Sequence, residues 1–167
     1  RENSGTLIHS SPATIITSED KLLKLWKPGY LRLFLSHKAE YKKAVSEFKK
    51  AMDYYGGSCF VAHVDIEPAR EWQNEIEKAL FSMDVLIALM TEDFSNSRWT
   101  DQEVGVAIGR QVPIVPVHLG MDPYGFIGKY QALSGANKGA ETLAADVYGL
   151  LWSKPNLKQR LIESLVT

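Results

Sequence analysis

The sequence predicts an α/β fold: a flavodoxin-like, doubly wound parallel sheet of about five strands, in the order 2-1-3-4-5, with helices on both faces. Two observations indicate this class. Strand candidates alternate with amphipathic helix candidates from residue 30 onward, and the strand candidates are apolar for most of their length. Long apolar runs are typical of parallel strands that helices cover on both faces. With 167 residues, the chain is long enough for one such domain.

The N-terminal segment, residues 1–29, does not share this alternation. It begins with a stretch rich in serine and threonine that is typical of a linker. A short helix is then predicted, with residues typical of a helix cap, Ser18 to Asp20, before it. This helix ends at Pro28-Gly29. The partner of this helix is either the domain itself or a domain upstream of it. The folded domain is predicted over residues 30–167.

The elements of the domain follow from their hydrophobic periodicity and from the residues that end them. The helix candidates carry apolar residues every three or four positions, and Gly56-Gly57 end the first of them. The first four strands are predicted over 31–35, 58–64, 84–90 and 113–118, and the helices between them over 41–55, 72–83 and 99–110.

Prolines and glycines shape the last part of the chain. Pro113 and Pro116 lack the N–H that a central strand donates, which places part of the fourth strand at or near an edge. Residues 121–128 are too rich in glycine and proline for regular structure, and a short fifth strand is predicted at 131–133. Two leucine-rich helices then close the domain, and Pro155 opens the second of them.

Composition excludes several classes of function. The net charge is −1 and the pI about 6.5, which gives no electrostatic reason to expect nucleic acid or an acidic membrane as the main partner. No apolar run is long enough to span a bilayer, and no signal-peptide pattern opens the chain. One cysteine and four histidines show no metal-ligand spacing. We therefore expect a cytoplasmic domain with no internal disulfide and no metal site.

The stretch that follows the third strand carries the most chemistry. Trp99 and Glu103 are four residues apart and project from one face near the start of a helix. In an open α/β sheet, ligands bind just past the carboxyl ends of the strands. An aromatic plane beside a lone carboxylate there suits a flat cationic ring joined to a sugar, as in a nicotinamide nucleotide. The plainer interpretations are a helix acid favoured by the dipole for Glu103 and a core anchor for Trp99.

Four segments, in this order, resemble a Toll/interleukin-1 receptor (TIR) domain of the bacterial NAD-consuming type. They are Phe34-Leu35-Ser36-His37; Val64-Asp65-Ile66-Glu67-Pro68 with Trp72, which resembles the BB loop; Ser97-Arg98-Trp99 through Glu103; and Asp122-Pro123-Tyr124-Gly125-Phe126. The resemblance covers about residues 30–167. It implies cleavage of the nicotinamide–ribose bond of NAD, with Glu103 as the catalytic residue, NAD as substrate and no separate cofactor.

The resemblance also implies a product, a setting and a partner. The product is ADP-ribose, a cyclic ADP-ribose, or an ADP-ribosyl group on another acceptor, and the sequence leaves this choice open together with that between NAD and NADP. The implied setting is antiphage defence or immune signalling. Self-association is implied through the BB loop (Ile66, Glu67, Pro68) and the third helix, with an upstream domain or a partner effector as a further possibility.

Several residues are candidates to bind the substrate. Trp99 would stack on the nicotinamide ring, and Trp72 would form a second aromatic wall. Ser36, His37 and Lys38 follow the first strand at the expected switch point of the sheet, where they would donate to the amide, the ribose or the phosphates. Asp65, in the loop after the second strand, is the remaining candidate.

Two other functions remain open. TIR domains also act as non-catalytic modules that bind other TIR domains, and the fold alone does not decide between the two roles. An enzyme that cleaves another N-glycoside, such as a nucleoside, would also need a lone carboxylate.

Overall fold

The computed structural model describes residues 24–62 and 70–166. These ranges contain five β-strands and five α-helices. The strands are β1 (Leu31–Ser36), β2 (Gly57–Val61), β3 (Val85–Thr91), β4 (Ile114–Leu119) and β5 (Leu133–Ser134). The helices are α1 (Lys42–Tyr54), α2 (Arg70–Ser82), α3 (Arg98–Gly109), α4 (Ala140–Trp152) and α5 (Pro155–Leu165).

The five strands form one parallel sheet in the order β2-β1-β3-β4-β5, which confirms the predicted fold class and strand order. The fifth strand lies at Leu133–Ser134 rather than at 131–133. It pairs only with Val117 and His118, so it covers only the carboxyl-terminal part of β4. Pro116 lies outside that pairing, as its missing N–H predicts.

Two apolar clusters, one on each face of the sheet, form the core. Alternate residues of a strand point to opposite faces, so Leu33 and Leu35 belong to one cluster and Phe34 belongs to the other. The cluster that contains Leu33 packs against α1, α4 and α5. The cluster that contains Phe34 packs against α2 and α3, with Phe34 and Phe60 stacked at 5.4 Å between ring centroids.

Residues 24–29, the part of the N-terminal segment that the structure describes, pack on the domain itself. The domain is one of the two partners that the sequence allowed for this segment. Trp26 is only 3% exposed and lies 6.1 Å from the Phe60 ring. Its indole Nε1 donates a hydrogen bond to Ser82 Oγ at 2.9 Å, and the backbone N–H of Lys27 donates to Ser58 Oγ at 3.0 Å. The predicted start of this helix lies outside the described residues.

Polar contacts of α5 join distant parts of the sequence. Arg160 on α5 forms an ion pair with Asp84, just before β3, and donates to the backbone carbonyl of Tyr30 at 3.3 Å. Asp84 Oδ2 in turn accepts a hydrogen bond from the backbone N–H of Arg32 at 2.8 Å. The amino ends of β1 and β3 are therefore tied to α5 by a shared network.

Within the described ranges, no helix is long and apolar enough to cross a bilayer.

Candidate active site at the carboxyl end of the sheet

The start of α3 is anchored where β3 ends. Ser97 is the N-cap of the helix, and its hydroxyl accepts a hydrogen bond from the backbone N–H of Thr100. The hydroxyl of Thr100 is buried and donates to the carbonyl of Phe94 at 2.8 Å. Phe94 itself is fully buried in the core. These contacts fix the first turn of α3, so the residues on its inner face have defined positions.

Glu103 lies on that inner face and is buried against β1. It is 4% exposed, and Ser36, the last residue of β1, is fully buried beside it. The hydroxyl of Ser36 donates a hydrogen bond to Glu103 Oε2 at 2.5 Å. The structure thus brings together two residues that the sequence placed at the site.

Burial controls the protonation of Glu103. Desolvation raises its pKa from the ordinary value of 4.5 to about 8, and the hydrogen bond from Ser36 opposes that rise. The neutral acid is therefore favoured at pH 7. A cation placed beside the carboxyl would favour the charged form instead, because opposite charges attract strongly where water is excluded.

Glu103 forms part of the wall of a cavity of about 240 Å³. Four predicted site residues meet there: the half-buried Trp99, together with His37, Lys38 and Glu103. Ser36 is fully buried and bonded to Glu103, and it is not among the residues that line this cavity. The full lining is His37, Lys38, Ala39, Glu40, Ser97, Trp99 and Glu103.

His37 is 8% exposed, and its Nδ1 lies 3.2 Å from the carbonyl oxygen of Leu35. A carbonyl oxygen only accepts, so Nδ1 must carry the proton of this hydrogen bond. In the neutral ring, Nε2 is then an acceptor rather than a donor. The sequence-based expectation that His37 donates to the substrate would therefore require either the charged ring or a different ring orientation.

Lys38 provides a fixed positive charge at the cavity. Its Nζ lies 2.9 Å from Asp93 Oδ2, and Thr91 Oγ1 donates to the other carboxylate oxygen of Asp93 at 3.1 Å. These hydrogen bonds lower the pKa of Asp93, and the bond to Asp93 raises the pKa of Lys38. The ion pair joins the chain after β1 to the chain after β3. Sequence reasoning missed Asp93, although its position just past β3 was a signal that could have indicated it.

The structure does not bring Trp72 to this cavity. Its ring packs 6.1 Å from the ring of Phe60, and it lines a separate cavity of about 850 Å³ at the β2 edge of the sheet, formed with residues of α1, β2 and the N-terminal segment. Asp65 and the predicted BB-loop residues Ile66, Glu67 and Pro68 lie outside the described residues. Among the residues that the structure does describe, no group of three or more histidine, cysteine or acidic side chains is placed to hold a metal ion.

Comparisons with known proteins identify the architecture. The family model described as "TIR domain" matches residues 33–146. The TIR domain of the Toll-related receptor TRR-2 from Hydra magnipapillata is 17% identical and superposes with a TM-score of 0.54, over 78% of this chain and 98% of that one. The TIR domains of the activated Roq1 resistosome, which recognises the pathogen effector XopQ, are 16% identical with a TM-score of 0.45, over 80% and 81% of the two chains. No curated protein sequence matches the chain significantly.

Proposed function

The chain belongs to the TIR domain family, and from that premise we propose that its site cleaves the bond between nicotinamide and ribose in NAD. TIR domains include both NAD-cleaving enzymes and signalling adaptors, so the site must carry the proposal. The observation that supports it is the Glu103 carboxyl, which is buried, held by Ser36 and set in the wall of a cavity that Trp99 also lines. A solvated surface acid would have none of these features.

The chemistry needs a negative charge close to the ribose. Nicotinamide leaves a cationic pyridinium as a neutral molecule, and the breaking bond leaves positive charge on the ribose, as in an oxocarbenium ion. The charged form of Glu103 stabilises that charge, and its burial makes the attraction stronger than it would be in water. Binding of the cationic ring itself favours loss of the proton from Glu103.

The neighbours of Glu103 suit the rest of the substrate. Trp99 offers an aromatic face to the pyridinium ring, an interaction of about 0.5–2 kcal/mol. Lys38 brings a positive charge for the pyrophosphate. The acceptor that attacks the ribose decides the product, which is ADP-ribose for water and cyclic ADP-ribose for an atom of the substrate itself. We propose that the reaction serves immune signalling or antiphage defence, as the resemblance implies.

Product analysis with NAD tests this function. The wild type and Glu103→Gln would be incubated with NAD at high protein concentration, because TIR assembly raises the local concentration of sites. Chromatography and mass spectrometry would then quantify nicotinamide and its co-product. We expect the wild type to release nicotinamide and Glu103→Gln to be slower by about 10²–10³-fold, the usual loss when one electrostatic contact to a transition state is removed.

Asp101→Asn is the matched control, because Asp101 lies on the exposed side of the same helix and the amide oxygen of asparagine can still accept the hydrogen bond from Tyr124. It should retain the wild-type rate. Release of nicotinamide at equal rates by the wild type and Glu103→Gln would exclude Glu103 as the catalytic residue. Cleavage of nucleosides in preference to NAD, in a competition assay, would assign the site to another N-glycoside.

A second candidate function is binding to another TIR domain, and two observations favour it. On α3, a methyl group added at Gly105 or Gly109 would meet no atom within 4 Å, so these glycines are not needed for packing within the domain. Phe126 and Tyr130 have exposed side chains and follow Tyr124 in the sequence. Tyr124 bonds to Asp101, which ties this segment to α3.

Sedimentation of the wild type and of Gly105→Arg would test this surface. The wild type should associate with rising concentration, and the variant should lose this association. Equal association of both proteins would exclude α3 as the contact.

A further inference from the structure

We propose that Ser36 acts on the reaction through Glu103: its hydroxyl positions the carboxyl and does not contact the substrate. This inference rests on the proposed function, since it concerns the same site. It differs from the sequence-based expectation that Ser36 binds substrate directly.

The placement of Ser36 supports a positioning role. It is fully buried, it is absent from the lining of the cavity, and it is paired with Ala88 in the ladder between β1 and β3. The backbone of a residue paired in this way cannot move toward a ligand without breaking that ladder. Its hydroxyl carries one proton, which it donates to Oε2 of Glu103.

The other oxygen of Glu103 is the one left for the substrate. Within the described part of the chain, Ser36 is the hydrogen-bond partner of the Glu103 carboxyl, and it occupies Oε2 only. Glu103 lines the cavity, and we assign Oε1, the oxygen that Ser36 does not hold, to the side of the ribose. The hydrogen bond from Ser36 on β1 thus holds Oε2 in place and leaves Oε1 to interact with the substrate.

The same hydrogen bond affects the charge on Glu103. A hydroxyl donates more strongly to a carboxylate than to a neutral acid, so Ser36 favours the charged form that the reaction needs. The other titratable groups that line the cavity are His37, Lys38 and Glu40, and Asp93 binds Lys38. Substitution of Ser36 leaves all four of these groups in place.

The experiment measures kcat/KM for NAD from pH 5.5 to 9.5. The variants are Ser36→Ala, which removes the donor, and Ser36→Thr, which keeps it. Ser58→Ala is the control, because Ser58 is also buried on a strand but bonds to Lys27 and not to Glu103. The active form is the charged carboxylate, so the rate falls below its pKa. Loss of the donor should move the acidic limb of the profile, the range in which kcat/KM falls with falling pH, upward by about one pH unit. At low pH this shift lowers kcat/KM by about tenfold, and at high pH it lowers kcat/KM much less.

Ser36→Thr and Ser58→Ala should keep the acidic limb at the wild-type pH, even if added bulk or lost packing lowers the rate at all pH values. An equal loss at every pH for Ser36→Ala would overturn the inference, because a merely structural role has no pH dependence. A raised KM for NAD with an unmoved limb would also overturn it, since that result indicates direct contact with the substrate. An equal upward shift in Ser36→Thr would exclude the hydroxyl as the cause.

A second readout separates this inference from the proposed function. The free energy of unfolding of the wild type and Ser36→Ala would be measured against pH, each with and without Glu103→Gln. We expect Ser36→Ala to cost more stability at pH 9 than at pH 5, and this difference to vanish in the Glu103→Gln background. If the wild type released no nicotinamide but showed this coupling, the proposed function would fail while the Ser36–Glu103 coupling would hold. A pH-independent cost in both backgrounds would exclude the coupling whatever the activity.

Discussion

Ser36 Oγ and Glu103 Oε2 lie 2.5 Å apart, and this hydrogen bond joins the end of β1 to the helix that follows β3. Both residues are buried, so the carboxyl has exchanged most of its contact with water for one protein donor. One neutral donor does not replace the hydration of a charged carboxylate. The site therefore holds an acid whose charge is costly until a cation binds next to it.

The first prediction concerns stability against pH. Glu103 binds its proton more tightly in the folded chain, where its pKa is about 8, than in the unfolded chain, where the ordinary value of 4.5 applies. The folded state is therefore favoured fully below pH 4.5 and loses this advantage as the pH rises through 8. The loss is on the order of 5 kcal/mol. Urea unfolding from pH 4 to 9 should show this decline in the wild type, and Glu103→Gln should remove most of it. Identical pH profiles for the two proteins would contradict the assignment.

The second prediction concerns Trp99. If its ring stacks on the nicotinamide ring, Trp99→Ala should raise the KM for NAD by about 2- to 30-fold, the range that corresponds to a cation–π contact of 0.5–2 kcal/mol. Trp99→Phe keeps an aromatic face and should lose less. Steady-state kinetics would measure both, with thermal unfolding alongside. An unchanged KM together with a large loss of stability would identify Trp99 as a core anchor only.

The third prediction concerns Lys38 and its place beside the cavity. Lys38→Met removes the positive charge that Asp93 holds there, so the KM for NAD should rise by about five- to tenfold, and less at high salt. Nicotinamide riboside has no phosphate, and its KM should not change. This substrate is the internal control. Equal effects on both substrates would show that Lys38 supports the site without binding phosphate.

The fourth prediction tests where the folded domain begins. Trp26 lies before the predicted boundary at residue 30, yet it is buried against Phe60 and bonded to Ser82. Trp26→Ala should therefore lower the free energy of unfolding by about 3–5 kcal/mol, the usual cost of removing a buried aromatic side chain. A chain that starts at residue 30 should lose at least as much, whereas one that starts at residue 24 should not. Equal stability of the two shortened chains would place the boundary at residue 30.

The strand order was accessible to sequence analysis for a simple physical reason. Buried parallel strands are apolar throughout, their crossover helices are amphipathic, and consecutive right-handed crossovers leave few possible orders. The two prolines near β4 also indicated correctly that this strand lies near an edge, because β5 covers only its last part.

Sequence analysis predicted several residues of the candidate site but not the contacts between them. Sequence patterns placed Ser36 at the end of a strand and Glu103 near the start of a helix, but they could not show that two side chains 67 positions apart form a hydrogen bond. The ion pair between Lys38 and Asp93 was missed for the same reason, since side-chain direction in a loop has no sequence period. Trp72 was expected at the site because it opens a helix at the correct edge, but its ring packs on Phe60 instead.

The network around Arg160 has a consequence for how the chain folds during synthesis. Arg160 bonds to the carbonyl of Tyr30, 130 positions earlier, and pairs with Asp84, whose carboxylate accepts from Arg32 at the start of β1. Contacts so distant in sequence form late and slow the search for the native state. During synthesis on the ribosome, the contacts of Arg160 with Tyr30 and Asp84 therefore form only after α5 has emerged.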